Sequence, residues 1–466
     1  MKRRISALLF IFLTALTLSS CGSKNVLLFL NWGEYIDETL LEDFENLYNC
    51  EVQMDLGESN EIFYSKVSAG TTVYDVVCPS DYMVEKLYKN DMLAEIDFDK
   101  VSNFNKDNLR PGVKKIYSDM NTELKNLMGD QYKDGDVDNY FIPYLWGTWG
   151  ICYTTRKEGL KDAIINNPNQ WASLFDRNSL PKGTKVAQYE SHQHAYYAAC
   201  RYLEHQGYDI NPQEELNDTN LGLIENLISN MNYNAWGTDS IKKDIVVGNI
   251  DLGFMWTGDF LYYYSENAAN AAMDAYLAGD IKIEEVAEFL DAIMGDEAIY
   301  EANGNSYEIG FDFYIPDDTI AFCDNLVITK DASHKDLAYK FINFLISRSF
   351  DDVKEENEIN ENVEFTNDDP AYTYTYYVDY DAPYNDVYND IVALSDTEFT
   401  KEMEDDFKAS SGDEYDSDLY WTMYDYAIGI SFDKYYPFDS TKGTKLSCFD
   451  RKYITKINNT FNNARA

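Results

Sequence analysis

From Asn25 to about Leu93 the chain alternates short apolar runs with amphipathic ones, and this order constrains its fold more than any other feature. "NVLLFLNW", "CEVQMDLG" and "YDVVCPS" read as strands because apolar and β-branched residues dominate them. Between them, "DETLLEDFENLYN" reads as an amphipathic helix with Asp37 as its N-cap, and "NEIFYSKVSAG" as a helix closed by Gly70. "YMVEKLYKNDML" reads as a third helix. Such alternation predicts a doubly wound α/β lobe with a mostly parallel sheet. Ligands of such sheets lie beyond the carboxyl ends of the strands. Trp32–Tyr35, Gly57–Asn60 and Ser80–Tyr82 fall at those ends.

Farther on, "FIPYLWGTWGICYTT" predicts an extended crossing strand that leads into a second α/β stretch. That stretch holds "KGTKVAQYE", the helix "HAYYAACRYLEHQGY", the helix "NLGLIENLISNM" and the strand "NIDLGFMW". Residues from about Ser265 to Asn305 are helix-rich and acidic and read as an insertion. "FCDNLVITKDASHKDLAYKFINFLIS" predicts a strand and a long helix, and a tyrosine- and acid-rich region after Phe350 precedes a terminal helix. A chain of 466 residues is long for one compact domain, and 45% hydrophobic residues suffice for sizeable cores. With no repeat and no Pro- or Ser-rich linker, two lobes crossed by several strands are expected.

The 82 acidic residues against 38 basic ones give a net charge of −44. Such a surface repels nucleic acid and anionic lipid headgroups and attracts cations. It is equally the composition of a well-solvated acidic surface. The 39 Tyr, 25 Phe and 7 Trp are numerous enough that some rings must be exposed or line a pocket.

The first residues read as an address. Lys2, Arg3 and Arg4 precede an apolar run from Ile5 to Leu18, and Leu18-Ser19-Ser20-Cys21 resembles a bacterial lipobox. Residues 1–20 are thus expected to be a lipoprotein signal peptide, with Cys21 as the lipidated first residue of the mature chain. The other six cysteines have irregular spacing and no CxxC pair, so they signal neither a zinc site nor a disulfide framework. Cys78 and Cys152 lie in strand-like runs and are expected to be buried.

The motifs "NWGEY", "YDVVCPSDYMVEKL", "IPYLWGTWGI", "LGFMWTGD" and "DLAYKFINFLIS" stand in an order that resembles the spermidine/putrescine-binding proteins of bacterial ABC importers. The resemblance covers most of Asn25 to Arg348 and is weaker beyond, where this chain is longer. It implies a two-lobed type II periplasmic-binding-protein fold that closes on one ligand without chemistry. It also implies a monomer without cofactor or metal, serving an ABC permease and its ATPase. One lobe would hold 25–146 with a return segment of about 324–383. The other would hold 147–323 with about 384–466. Carried over residue by residue, the resemblance assigns ligand contacts to Trp32, Glu34, Tyr35, Ser80, Tyr82, Thr238, Trp256, Phe322, Asp324 and Tyr380. Where the family's second lobe offers two carboxylates about a turn apart, "QYESHQHAYY" places Ser191 and His194, with Glu190 beside them as a substitute acid.

These residue types suit an aliphatic amine. Carboxylates pair with ammonium groups through charge-assisted hydrogen bonds, and aromatic faces pack against methylenes and cations. Read without the resemblance, Trp32 and Tyr35 are equally core aromatics, and Glu34 a helix N-terminal acid. His192 and His194 invite a metal reading, but histidines at i and i+2 share a face only on a strand, and this stretch enters a helix. No G-x-S-x-G, H-E-x-x-H or P-loop motif marks an enzyme. An acid pair for sugar hydrolysis remains the enzyme-class alternative. A structural surface protein, argued from the tyrosine-rich Ala371–Tyr388, is a third.

Overall fold

The computed structural model describes residues 25–295, 298–354, 367–410 and 412–465. The lipobox and Cys21 lie outside them. Among the described residues, no helix is long and apolar enough to cross a membrane.

The predicted alternation at the start is present. Strands β1 (Val26–Asn31), β2 (Glu51–Leu56) and β3 (Val76–Val77) pair in parallel, in the order β3-β1-β2. Helix Glu38–Tyr48 between β1 and β2 is capped by the Asp37 side chain, which accepts from the Thr39 backbone N–H. Helix Asn60–Ala69 starts under a Ser59 cap and ends at Gly70, whose φ of 61° a residue with a Cβ rarely adopts.

Strand β4 (Ile142–Thr154) is the crossing strand, and all 13 of its residues are buried. Burial on both faces explains why it reads as a continuous apolar run rather than an alternating one. β5 (Ala187–Tyr189) and β6 (Ala235–Gly237) form a small parallel pair. β7 (Leu252–Trp256) pairs antiparallel with the second half of β4. β8 (Tyr300–Ala302) and β9 (Asn305–Tyr307) make a separate hairpin. β10 (Phe311–Tyr314) joins the far end of β4, and β11 (Ala321–Ile328) lies antiparallel between β4 and β3. β4 and β11 therefore run through both lobes, giving the path β10-β4-β11-β3-β1-β2. The register of β11 against β4 slips between Asp324 and Asn325, a bulge of the kind that re-aims a side chain.

Two expectations change in detail. The helical stretch expected from Ser265 begins earlier, as helix Thr257–Ala278, and its far end is the β8–β9 hairpin. The C-terminal region, expected with the second lobe, also grips the first. Arg110, fully buried with Asp381 of the return segment at 3.0 Å, donates to the carbonyls of Tyr436 and Phe438 in the C-terminal region. The Lys445 ammonium lies 2.8 Å from Glu85 and also pairs with Glu123. On the other side, helix Arg451–Arg465 packs on helices His192–His205 and Asp218–Met231.

Candidate ligand-binding site

A cavity of about 920 Å³ lies between the lobes. Every site residue expected from the sequence lines it. The first lobe supplies the ends of its parallel strands, as the doubly wound topology requires. Trp32, Glu34 and Tyr35 follow β1, and Ser80 and Tyr82 follow β3. Glu58, Asn60 and Glu61, after β2, complete this wall.

Asp324 is the centre of the first-lobe wall. It is 5% exposed. Tyr35 donates to it at 2.8 Å and the Ser80 hydroxyl at 2.6 Å. Asn60 holds Ser80 from both sides, donating to its hydroxyl at 2.9 Å and accepting from its backbone N–H at 3.0 Å. Burial raises the Asp324 carboxyl from 3.8 to about 6, and the two hydroxyl donors only partly offset it. Among the described residues no cationic side chain pairs with it. The Asp324 charge also helps raise the Tyr35 phenol well above 10, though burial is the larger cause.

Trp32 is fixed by its indole N–H, which donates to the Cys78 carbonyl at 2.8 Å, and by Phe63 at 4.5 Å between ring centroids. Glu34 is exposed and takes a left-handed backbone with φ of 53°, which is unusual for a side chain of its size. Tyr82 reaches Glu61 at 3.5 Å.

An aromatic chain continues through the cavity. Tyr35 meets Tyr380 at 5.7 Å, Tyr380 meets Phe322 at 5.8 Å, and Phe322 meets Trp256 at 4.9 Å. Tyr380 lies so close to Gly258 that a Cβ there would sit 2.4 Å from its ring. Trp256 is anchored by its indole N–H on the Tyr189 hydroxyl at 3.2 Å.

In the second lobe, Ser191 and His194 stand at the start of helix His192–His205, and Thr238 precedes helix Asp239–Val246. The Ser191 hydroxyl and His194 Nδ1 are 2.6 Å apart. His194 is ringed by Trp256 at 5.1 Å, Trp149 at 5.4 Å and Tyr189 at 6.0 Å. Burial among these rings lowers it to about 4, so it is neutral at physiological pH. His192 turns elsewhere, to Asn458 at 3.1 Å, so the two histidines do not converge.

Glu190, expected to substitute for a missing acid, is engaged: Arg465 pairs with it at 2.6 Å. Sequence reasoning also missed Asp259, in the quoted "LGFMWTGD", which pairs with Lys242 at 2.6 Å on the cavity wall. Glu190 directly follows β5 and Asp259 stands three residues past β7, in the first turn of helix Thr257–Ala278, and nearness to a strand end was the available signal. Ile454 and Asn458 of the C-terminal helix carried no such signal.

Residues 1–177 match the family described as hypothetical lipoprotein (MG045 family). The putrescine/cadaverine-binding protein of Pseudomonas aeruginosa is 26% identical over 318 residues, covering 68% of this chain and 73% of that protein. The spermidine/putrescine-binding periplasmic protein of Escherichia coli is 28% identical over 238 residues, covering 50% of this chain and 59% of its own length. The chain is a homologue of the spermidine/putrescine-binding proteins. A solved spermidine/putrescine ABC transporter substrate-binding protein of Streptococcus pneumoniae shares the fold, with a TM-score of 0.53 at 19% identity, covering 95% of this chain and 99% of that one. The resemblance read from the motifs and the two-lobed α/β fold are thus borne out. The chain presents strand ends from both lobes to one interlobe cavity.

Proposed function

We propose that this chain is the substrate-binding component of an ABC importer, and that it captures a polyamine-type cation outside the membrane without chemistry. The observation that carries this reading is Asp324, a buried carboxylate with no cationic partner among the described residues, inside an aromatic-walled cavity between lobes. A ligand ammonium would supply the missing counter-charge through charge-assisted hydrogen bonds. Trp32, Tyr35, Trp256, Phe322 and Tyr380 would pack on the methylenes. The names of the homologues favour this reading over a sugar ligand or hydrolase.

In this proposal residues 25–146 and about 324–383 form one lobe, and 147–323 with about 384–466 the other. Ligand bridges them and favours the closed form by binding it more tightly. The closed monomer is presented to a membrane permease, with its ATPase on the far side, and Cys21 carries the lipid anchor. The test is calorimetry of the lipid-free mature chain with spermidine, putrescine, spermine and a neutral sugar. One-to-one micromolar binding of an amine is expected. Binding of the sugar alone, or turnover of a glycoside, would overturn the reading.

A further inference from the structure

The two walls of the cavity differ in charge. On the first lobe, Glu34, Glu58, Glu61, Asp81 and Asp324 line it, and among the described residues none forms an ion pair; Asp81 accepts from the Cys323 backbone N–H at 2.8 Å. On the second lobe the two acids that line it among the described residues are already matched, Asp259 by Lys242 at 2.6 Å and Glu190 by Arg465 at 2.6 Å. Lys243, exposed, adds a further positive charge to the same wall. Among the described residues, Ser191, His194, Trp256, Tyr189 and Thr238 add uncharged groups to this wall. His194, lowered to about 4, offers a neutral ring and no counter-charge.

An ammonium arriving at the second wall would lie beside Lys242 as well as Asp259, so attraction and repulsion would largely cancel. At the first wall, no cationic side chain among the described residues lines the cavity to oppose it. We propose that this site reads a single ammonium group: Asp324 and the acidic wall hold one end of an aliphatic amine. The far end, against His194 and Trp256, is accepted whether it is charged or is an uncharged hydrogen-bonding group. Lys242 enforces this asymmetry by occupying Asp259. The inference rests on the cation-binding reading above and adds to it which end is selected.

The experiment compares putrescine, 4-amino-1-butanol and 1,4-butanediol by calorimetry on the lipid-free mature chain. Within about fivefold, the diamine and the amino alcohol are expected to bind alike, with the diol bound at least about tenfold more weakly than either. A diamine preference beyond about fivefold overturns the single-ammonium inference and leaves the cation-binding reading intact. Equal binding of the diol, or no binding of either amine, overturns that reading itself. Lys242→Gln supplies the second measurement, with folding checked by circular dichroism. Releasing Asp259 should raise the diamine-to-amino-alcohol preference by about fivefold or more. An unchanged ratio overturns the role of Lys242 in setting the asymmetry.

Discussion

The Tyr35 hydroxyl donates to the Asp324 carboxylate at 2.8 Å, joining residues 289 positions apart in sequence. Tyr35 stands just past β1, and Asp324 sits at the bulge of a strand that crosses between lobes. The contact holds the carboxylate in place while the hydroxyls of Tyr35 and Ser80 take the role that water would otherwise fill. They do not neutralise it, and the raised pKa is the sign of that incomplete compensation.

Asp324→Asn should therefore separate stability from binding. Raising the carboxyl from 3.8 to about 6 corresponds to ~3 kcal/mol of destabilisation of the ligand-free fold at neutral pH. The variant is expected to unfold at higher denaturant than the parent without ligand, by up to that amount. It should lose amine affinity by roughly 30- to 100-fold, about 2–3 kcal/mol. Chemical denaturation and calorimetry check the two halves. Unchanged affinity would remove Asp324 from the site.

Amine binding should weaken on acidification. The folded carboxyl is raised above its unfolded value, so this group favours the folded state below 3.8 and loses that contribution as pH rises through about 6. Ligand needs the opposite, ionised form. Affinity is expected to be flat above about pH 7 and to fall nearly tenfold per unit once below the Asp324 pKa. Putrescine keeps both ammonium groups across that range, so the change reports the protein. Asp324→Asn should flatten the profile, and an identical profile in parent and variant would assign the titration elsewhere.

The aromatic wall makes a third case. Trp256→Ala removes the ring between His194 and Phe322, and Trp32→Ala removes the one above Phe63. Each should reduce amine affinity by roughly threefold to thirtyfold, the range of a cation–π contact. Trp32→Phe, which keeps a ring but not the bond to the Cys78 carbonyl, should recover part of the loss. Full affinity in both alanine variants would refute an aromatic role in binding.

How legible this site was depends on where each residue lies. Residues at strand ends could be read from local sequence, because topology alone sends Trp32–Tyr35, Ser80–Tyr82 and Trp256 to one side of the sheet. Asp324 followed from the resemblance to a known family, whereas the bulge that aims it comes from pairing with β4 and leaves no local trace. The state of Glu190 was beyond reach, since its partner Arg465 is 275 residues away. The contacts of the C-terminal region with residues of 25–146 were beyond reach for the same reason. Its contacts with the first lobe rest on isolated groups, the Tyr436 and Phe438 carbonyls on Arg110 and Lys445 with Glu85, which carry no periodic pattern.

Lys445 provides the last prediction. Its side chain is 2% exposed and its ammonium lies 2.8 Å from Glu85, which is itself fully buried, with Glu123 as a second partner. The backbone around it is bonded to the other lobe: Gln213 donates to the Lys445 carbonyl at 2.9 Å and Gln193 to the Ser447 carbonyl at 3.0 Å. Lys445→Met leaves the Glu85 carboxylate buried without its counter-charge, which costs about 3–5 kcal/mol. Burial already pushes Glu85 well above its usual range, and Lys445 is the main influence lowering it. Removing Lys445 should raise it further, so the unpaired carboxylate takes up a proton on acidification and its cost fades. The destabilisation measured by denaturant unfolding is thus expected to be largest at neutral pH and smaller near about pH 5. Adding Glu85→Gln to Lys445→Met should recover much of the loss at neutral pH. A deficit that is independent of pH and survives the second substitution would mean that Lys445 acts through its packing and not its charge.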